Sequence, residues 1–315
     1  MRRDRGGLDV TENGGPRRVI VEVRWAKVPV RKAVIEAGGT LRVGQSERAD
    51  LVVPADRTMS ALHCEIGWDG ERCSVVARSS QGGTFLNGER VEQGELKNGD
   101  WIRVGGTVLS VYFEGATPPR AESGIRGDGT DRLTPVQADA LAALQAEPGG
   151  LFAVLDATRT LRVIEVLRES VEEYRSLYEG IQGEALAMQA PYLVQLPRGS
   201  RLLEQTVLEG WGKGWGVYLT SRRPFDEVRT QLRRLLMVRN DQSGRQMYFR
   251  FYDPQMLRLF LPTCALRQRE QIFGEIEGFL VEGRDGEVVR LKAREAPALL
   301  TRALVREPED MGLDE

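Results

Sequence analysis

The sequence predicts a multidomain protein in which an all-β sandwich is followed by an α/β domain with a largely parallel sheet. Three observations predict it: short strand-like runs between turn residues from Arg17 to Phe113, an apolar-poor stretch from Glu114 to Arg132, and a change of hydrophobic period after Pro148, Gly149 and Gly150. At 315 residues the chain is long enough for two separate cores, and its 41% apolar content is ordinary for a globular protein.

Residues 1–16 read as a disordered leader, charged near Met1 and then polar, without the apolar stretch of a secretory signal. From 17 to 114, runs such as 19–23, 33–35, 51–53, 64–66, 74–76 and 108–111 are rich in Val, Ile and Leu and bounded by Gly, Asp, Pro or Asn. That pattern reads as a sandwich. Residues 115–132, with Pro118, Pro119, Gly124, Gly127 and Gly129, read as a linker.

A second domain is expected over 133–305. Thr134, Pro135 and Gln137 form a helix start in which Thr caps, Pro suits the first helical position and Gln closes a capping box. The apolar run 151–155, stopped by Asp156, reads as a strand buried on both faces, the usual state of parallel strands. Ile164, Leu167, Val171, Tyr174 and Tyr178 fall at spacings of 3 and 4, one helical stripe. Then follow a strand at 192–196, a helix at 201–209, a strand at 216–219, a helix carrying Phe225, Val228, Leu232 and Leu235, a strand at 247–252 and a last helix from Gln268 to Val281. Residues 306–315 read as an acidic, solvated tail.

A formal charge of -2 excludes the strongly basic balance of a dedicated nucleic-acid or membrane-surface protein. No apolar run reaches the roughly 20 residues of a membrane span, so the expectation is a cytoplasmic protein with no membrane or nucleic-acid partner. Cys64, Cys73 and Cys264 lack metal-knuckle or redox spacing and read as buried thiols, with no metal or cofactor expected.

Gly44, the step from Ser60 to His63, and the turn from Gly83 to Gly88 occur in that order in the β-rich half. This series resembles a forkhead-associated (FHA) domain. The resemblance implies loops that bind phosphothreonine peptides, with an Arg after the first Gly and the Ser holding phosphate and an Asn holding the ligand backbone. Here Ser60 and Asn87 match, and Gln45 stands at the Arg position. A neutral amide lacks the charged fork of a guanidinium, which costs about 1.5 to 3 kcal/mol, or about ten- to a hundredfold in affinity. Arg48 and Arg57 on neighbouring loops are the candidates to compensate. His63, the only histidine, is expected to brace the Ser60 loop, and Asn87 with Gly88 is also a hairpin-turn signal in its own right.

In the second half, Leu155 to Ala157, Leu177 to Gly180, Ala190 to Val194, Gly216 to Ser221 and Phe249 to Pro254 occur in an order that resembles a bacterial domain-of-unknown-function family of type VI secretion adaptor chaperones. The resemblance covers about residues 150–285 and implies binding of a secreted effector protein, its loading onto the VgrG spike protein, and no turnover. From the residues alone, Asp156 and Ser221 both fall at C-terminal strand ends, the crevice side of an open α/β sheet. Asp156 can cap a following helix, hold a partner's amide or act as a base. Asp253 can fix a turn, and Arg250 can pair with it or with Asp156. Trp211 and Trp215 lie in a Gly-rich loop and serve either as interface anchors or as buried edge packing. Between Arg222 and Arg258, nine arginines face four acids, a solvated face or a dock for an acidic segment. Two alternatives stand beside the adaptor: a phosphothreonine-dependent signalling scaffold, and an α/β enzyme using Asp156, Ser221 and Asp253. The missing second-domain histidine, Gly-x-Ser-x-Gly elbow and P-loop weigh against the enzyme.

Overall fold

The structure is a computed structural model that describes residues 18–24, 31–79, 82–118, 133–178, 187–239 and 246–294. The leader 1–16, residues 119–132 of the linker and the tail 306–315 lie outside the described residues. The chain divides into two compact units, Met1–Gly129 with Leu161–Arg175, and Thr130–Thr160 with Ser176–Glu315.

Among the described residues, the first unit holds a sandwich of eleven strands: β1 (Arg18–Arg24), β2 (Arg31–Glu36), β3 (Gly39–Gly44), β4 (Leu51–Val52), β5 (Cys64–Trp68), β6 (Cys73–Ala77), β7 (Thr84–Leu86), β8 (Glu89–Val91), β9 (Gln93–Leu96), β10 (Trp101–Val104) and β11 (Thr107–Phe113). One sheet has the order β2-β1-β11-β10-β7-β8 and the other β4-β3-β5-β6-β9. Strand alternation builds the core. In β5, Cys64, Ile66 and Trp68 are buried while Glu65 and Gly67 are half-buried; in β10, Ile102 and Val104 are buried while Trp101 stays exposed. These side chains join Val19, Val21, Val43, Val75, Leu109 and Val111 in one cluster, each stabilising the sandwich by about 1.5 to 3 kcal/mol. Cys64 and Cys73 sit inside it, and burial pushes each thiol up to about 12, so neither is a nucleophile near neutrality. Asn87 at φ 50 and Gly88 at φ 95 supply the two positive dihedrals of the β7-β8 hairpin turn.

The second unit corrects the expectation of a largely parallel sheet. Its elements are α1 (Pro135–Gln145), β12 (Gly150–Asp156), α2 (Arg162–Arg168), β13 (Tyr174–Ser176), β14 (Pro191–Leu196), α3 (Arg201–Gly210), β15 (Gly216–Ser221), α4 (Phe225–Leu235), β16 (Met237–Arg239), β17 (Gln246–Tyr248), α5 (Pro254–Phe260), α6 (Leu266–Phe273), β18 (Ile276–Glu282) and β19 (Val288–Leu291); the contacts of α2 belong to the first unit. The main sheet runs β13-β14-β12-β15-β18-β19, and β12 pairs antiparallel with both β14 and β15, as β15 does with β18 and β18 with β19. Phe152, Val154, Val217, Leu219, Phe279 and Val281 face α4, α5 and α6 in one core. Tyr218 points to the opposite face, where its hydroxyl donates to Thr206 on α3. Helices therefore cover both faces of β12, which accounts for its uninterrupted apolar run without any parallel neighbour.

Three expected elements also change. The stripe from Ile164 to Tyr178 is not one helix: α2 ends at Arg168, and Tyr174 begins a strand. The strand expected at 247–252 is only Gln246–Tyr248. The helix expected to reach Val281 stops at Phe273, because Gly274 takes φ 48, and Ile276 to Glu282 forms the buried strand β18. The Thr134 capping box forms as expected, with Thr134 Oγ1 accepting from Gln137 N and Gln137 Oε1 accepting from Thr134 N.

Candidate functional site

The loop edge of the sandwich is held by backbone contacts that only certain residues allow. A Cβ on Gly44 would press into the carbonyl of Ala61, so the end of β3 lies directly against the 60–62 loop. Gln45 N then donates to Ser60 O at 3.0 Å and Ser46 N to Ala61 O at 3.2 Å, which sets Gln45 beside Ser60. His63 is fully buried; its Nδ1 accepts from Ser60 N at 3.1 Å, leaving Nε2 to donate to Gly83 O at 3.0 Å. It thus ties the Ser60 loop to the 82–83 loop, the bracing role expected of it.

The 54–59 loop is pinned by buried Asp56, which accepts from Thr58 N, Thr58 Oγ1, Gly106 N and Thr107 Oγ1. Burial pushes this carboxyl up, but the bonds from Thr58, Thr107 and Gly106 outweigh it and hold the carboxyl below its usual range. On this frame Gln45 and Ser60 are half-buried, and Arg48 and Arg57 are exposed with no side-chain partner among the described residues. Ser60 Oγ lies 2.5 Å from Ser79 Oγ, a hydroxyl the sequence reading did not single out. Asn87 is used by the fold itself: its Nδ2 donates to Asp100 at 2.8 Å and its Oδ1 accepts from Trp101 N at 3.0 Å. Those two bonds orient the carboxamide and leave one Nδ2 hydrogen and one Oδ1 lone pair for a ligand backbone.

In the second unit the structure brings Asp156, Arg250 and Asp253 together and sets Ser221 apart. Leu155 pairs with Gly216 and Gly150 with Ser221, so Asp156 and Ser221 mark opposite ends of β12, about 20 Å apart at 3.3 Å per residue. The expectation of a shared crevice assumed parallel strands and is corrected. Ser221 Oγ donates to Glu275 O and accepts from Arg223 N, a structural duty.

Asp156 is 1% exposed and does not cap a helix; its Oδ1 accepts from Thr158 N and Oγ1, and its Oδ2 accepts from Arg250 Nη2 at 2.6 Å. Arg159, also missed in the sequence, puts Nη2 2.6 Å from Asp253 Oδ2 and Nε 3.8 Å from Asp156. Asp253 Oδ1 meanwhile caps α5 through Gln255 N and Met256 N. The two guanidiniums remain 43% and 39% exposed, so each keeps an outward edge for a partner's acceptor. Beside them the hydroxyls of Tyr178, Tyr248 and Tyr252 form a chain with steps of 2.6 and 3.0 Å.

Trp211 and Trp215 are buried, at 5% and 7% exposure, which decides between the two readings of that loop. Trp211 Nε1 donates to Gly286 O and its ring packs 5.9 Å from that of Tyr218, so neither indole stands out as an interface anchor. Of the arginine-rich stretch, Arg229 and Arg233 donate to the carbonyls of Ser176 and Leu177 and serve the fold. Among the described residues, no helix is long and apolar enough to cross a membrane.

Comparison with known proteins gives two separate matches along the chain. Residues 41–105 match the model of the FHA domain, and residues 151–271 match that of a domain of unknown function, DUF4123. No curated protein matches the chain. Among solved structures, the FHA domain of the CT664 protein from Chlamydia trachomatis is 20% identical over 30% of this chain and 96% of its own, with a TM-score of 0.29. The first FHA domain of Mycobacterium tuberculosis Rv1747 is 25% identical over 31% and 97%, with a TM-score of 0.27. A third, from a study of phosphothreonine-dependent FHA interactions, is 27% identical over 30% and 97%, with a TM-score of 0.28. The chain thus carries an FHA domain in its N-terminal half and a DUF4123 region after it.

Proposed function

We propose that this protein is a binding adaptor rather than an enzyme: its FHA loop edge docks a protein segment, phosphothreonine-bearing by preference, and its DUF4123 region holds a secreted effector for loading onto the VgrG spike of a type VI secretion system. The observation that carries the docking half is the loop edge, where the backbone bond from Gln45 N to Ser60 O joins two loops that also carry Arg48 and Arg57, both exposed and with no side-chain partner among the described residues. A phosphate there finds hydroxyl and amide donors close in, with cationic side chains on the adjoining loops.

The effector-loading half is supported by the order of motifs from Leu155 to Pro254 and by the DUF4123 match over the same stretch. Arg250 and Arg159, anchored from behind by Asp156 and Asp253, are the groups offered to an acidic or carbonyl-rich part of the effector. The separation of Asp156 and Ser221 at opposite ends of β12 supports the binding reading over an enzyme using both.

The test is affinity capture of the full chain from its native bacterium, with mass spectrometry of the bound proteins, beside calorimetry against phosphothreonine and plain peptides. Recovery of a toxin-like protein together with VgrG supports loading, and tighter binding of the phosphorylated peptides supports docking. Normal effector delivery in a strain lacking this protein would end the loading half; equal affinity for both peptide sets would end the phosphothreonine preference.

A further inference from the structure

β1 is buried on both sides, which its place in a two-sheet sandwich does not explain. Val19, Val21 and Val23 face the core, so alternation turns Ile20 and Glu22 to the outer face, where solvent is expected. Both are nonetheless at 0% exposure. The register sets Glu22 between Ser110 of β11 and Lys32 of β2, and Ile20 between Tyr112 and Val34.

Over Glu22 and the neighbouring Tyr112 lies the segment Leu161–Arg175, with Arg168 set over the Tyr112 ring; it falls inside the DUF4123 match yet belongs to the compact unit of the sandwich. Tyr174 donates its hydroxyl to Glu22 Oε1 at 2.5 Å. Lys32 Nζ donates to the carbonyls of Leu167 at 2.9 Å, Ser170 at 2.5 Å and Glu172 at 3.0 Å, which uses all three of its protons at the C-terminal side of α2. The same ammonium lies 4.4 Å from the centre of the Tyr174 ring. In the middle of the segment, Glu169 accepts from Asn98 Nδ2 at 2.8 Å and from Thr117 N at 2.9 Å.

We propose that the outer face of β1, β2 and β11 is an interaction surface whose ligand is the chain's own segment Leu161–Arg175. The FHA domain of this protein is then a two-part module, and any partner of that sheet face has to displace the segment. The loop edge at Ser60 lies outside this covered face, so the inference is independent of the phosphothreonine reading.

Competitive amine labelling of the full chain, read residue by residue by mass spectrometry, tests it. With the segment in place, Lys32 is modified at least about tenfold more slowly than the exposed Lys97 and Lys213, and Tyr174→Ala brings its rate toward theirs. Lys32 reacting as fast as Lys97 in the wild-type chain overturns the proposal without any need for a folded variant. Hydrogen exchange of the Tyr174→Ala chain gives a second reading: faster exchange confined to 161–175 and the outer strands supports the clasp, and unchanged exchange of 161–175 overturns it.

Discussion

Gln45→Arg is the sharpest perturbation of the docking edge. The bond from Gln45 N to Ser60 O and the close approach at Gly44 fix the backbone of position 45, so a longer side chain leaves from the same point beside Ser60 Oγ. A guanidinium there adds charged, two-pronged donation to a phosphate held by Ser60, a net gain of about 1.5 to 3 kcal/mol. Position 45 is half-buried and two arginines are already nearby, so the lower end applies, about tenfold in Kd. Calorimetry of the two proteins against matched phosphorylated and plain threonine peptides, at low and high salt, measures it. The gain belongs to the phosphorylated peptide and shrinks as salt rises. An equal gain for the plain peptide, or none for either, refutes the placement of phosphate between positions 45 and 60.

Gly44→Ala drives a methyl into the Ala61 carbonyl and is expected to cost about 1 to 3 kcal/mol in a denaturant titration, with loss of peptide binding beyond what the stability change explains. Arg250→Met leaves buried Asp156 with only Thr158 and the more distant Arg159; since Arg250 is 43% exposed, about 2 kcal/mol of stability should be lost, read as a lower denaturant midpoint, and an unchanged midpoint contradicts the pairing. Burial lowers the Lys32 ammonium to about 8, against the pull of Glu22 and Glu172. The unfolded chain therefore holds more protons there between pH 8 and 10.5, and wild-type stability relative to Lys32→Met should rise across that window, by at most about 3 kcal/mol. A difference that is flat from pH 7 to 11 argues against a buried charge at Lys32.

Much of the sandwich was legible because its strands, β1 apart, are largely one-sided and short, so period-2 runs between Gly, Asp and Asn mark it directly. Strand direction in the second unit was not legible. A strand buried on both faces reads as a continuous apolar run whether its neighbours run with it or against it, and β12 is covered by helices on both sides. Ile272, Phe273, Ile276, Phe279 and Leu280 fit helical spacing well enough to hide the break at Gly274. At the candidate sites, Ser60, His63 and Asp156 were found by type and position. Arg159 and Ser79 were missed, since their importance comes from partners 94 and 19 residues away, at Asp253 and Ser60. The burial of Glu22 rests on Tyr174, 152 residues along the chain, a distance over which no local pattern carries information.

That last separation also sets an order of events during synthesis. The final strand of the sandwich ends at Phe113, but the residues that cover β1 emerge only with Tyr174 and Arg175. At about 5 to 20 residues per second, the ribosome takes roughly 3 to 12 s to supply them. Through that interval Ile20 and Tyr112 face water on a completed sheet, and a nascent chain paused before residue 175 presents the apolar strip that chaperones bind.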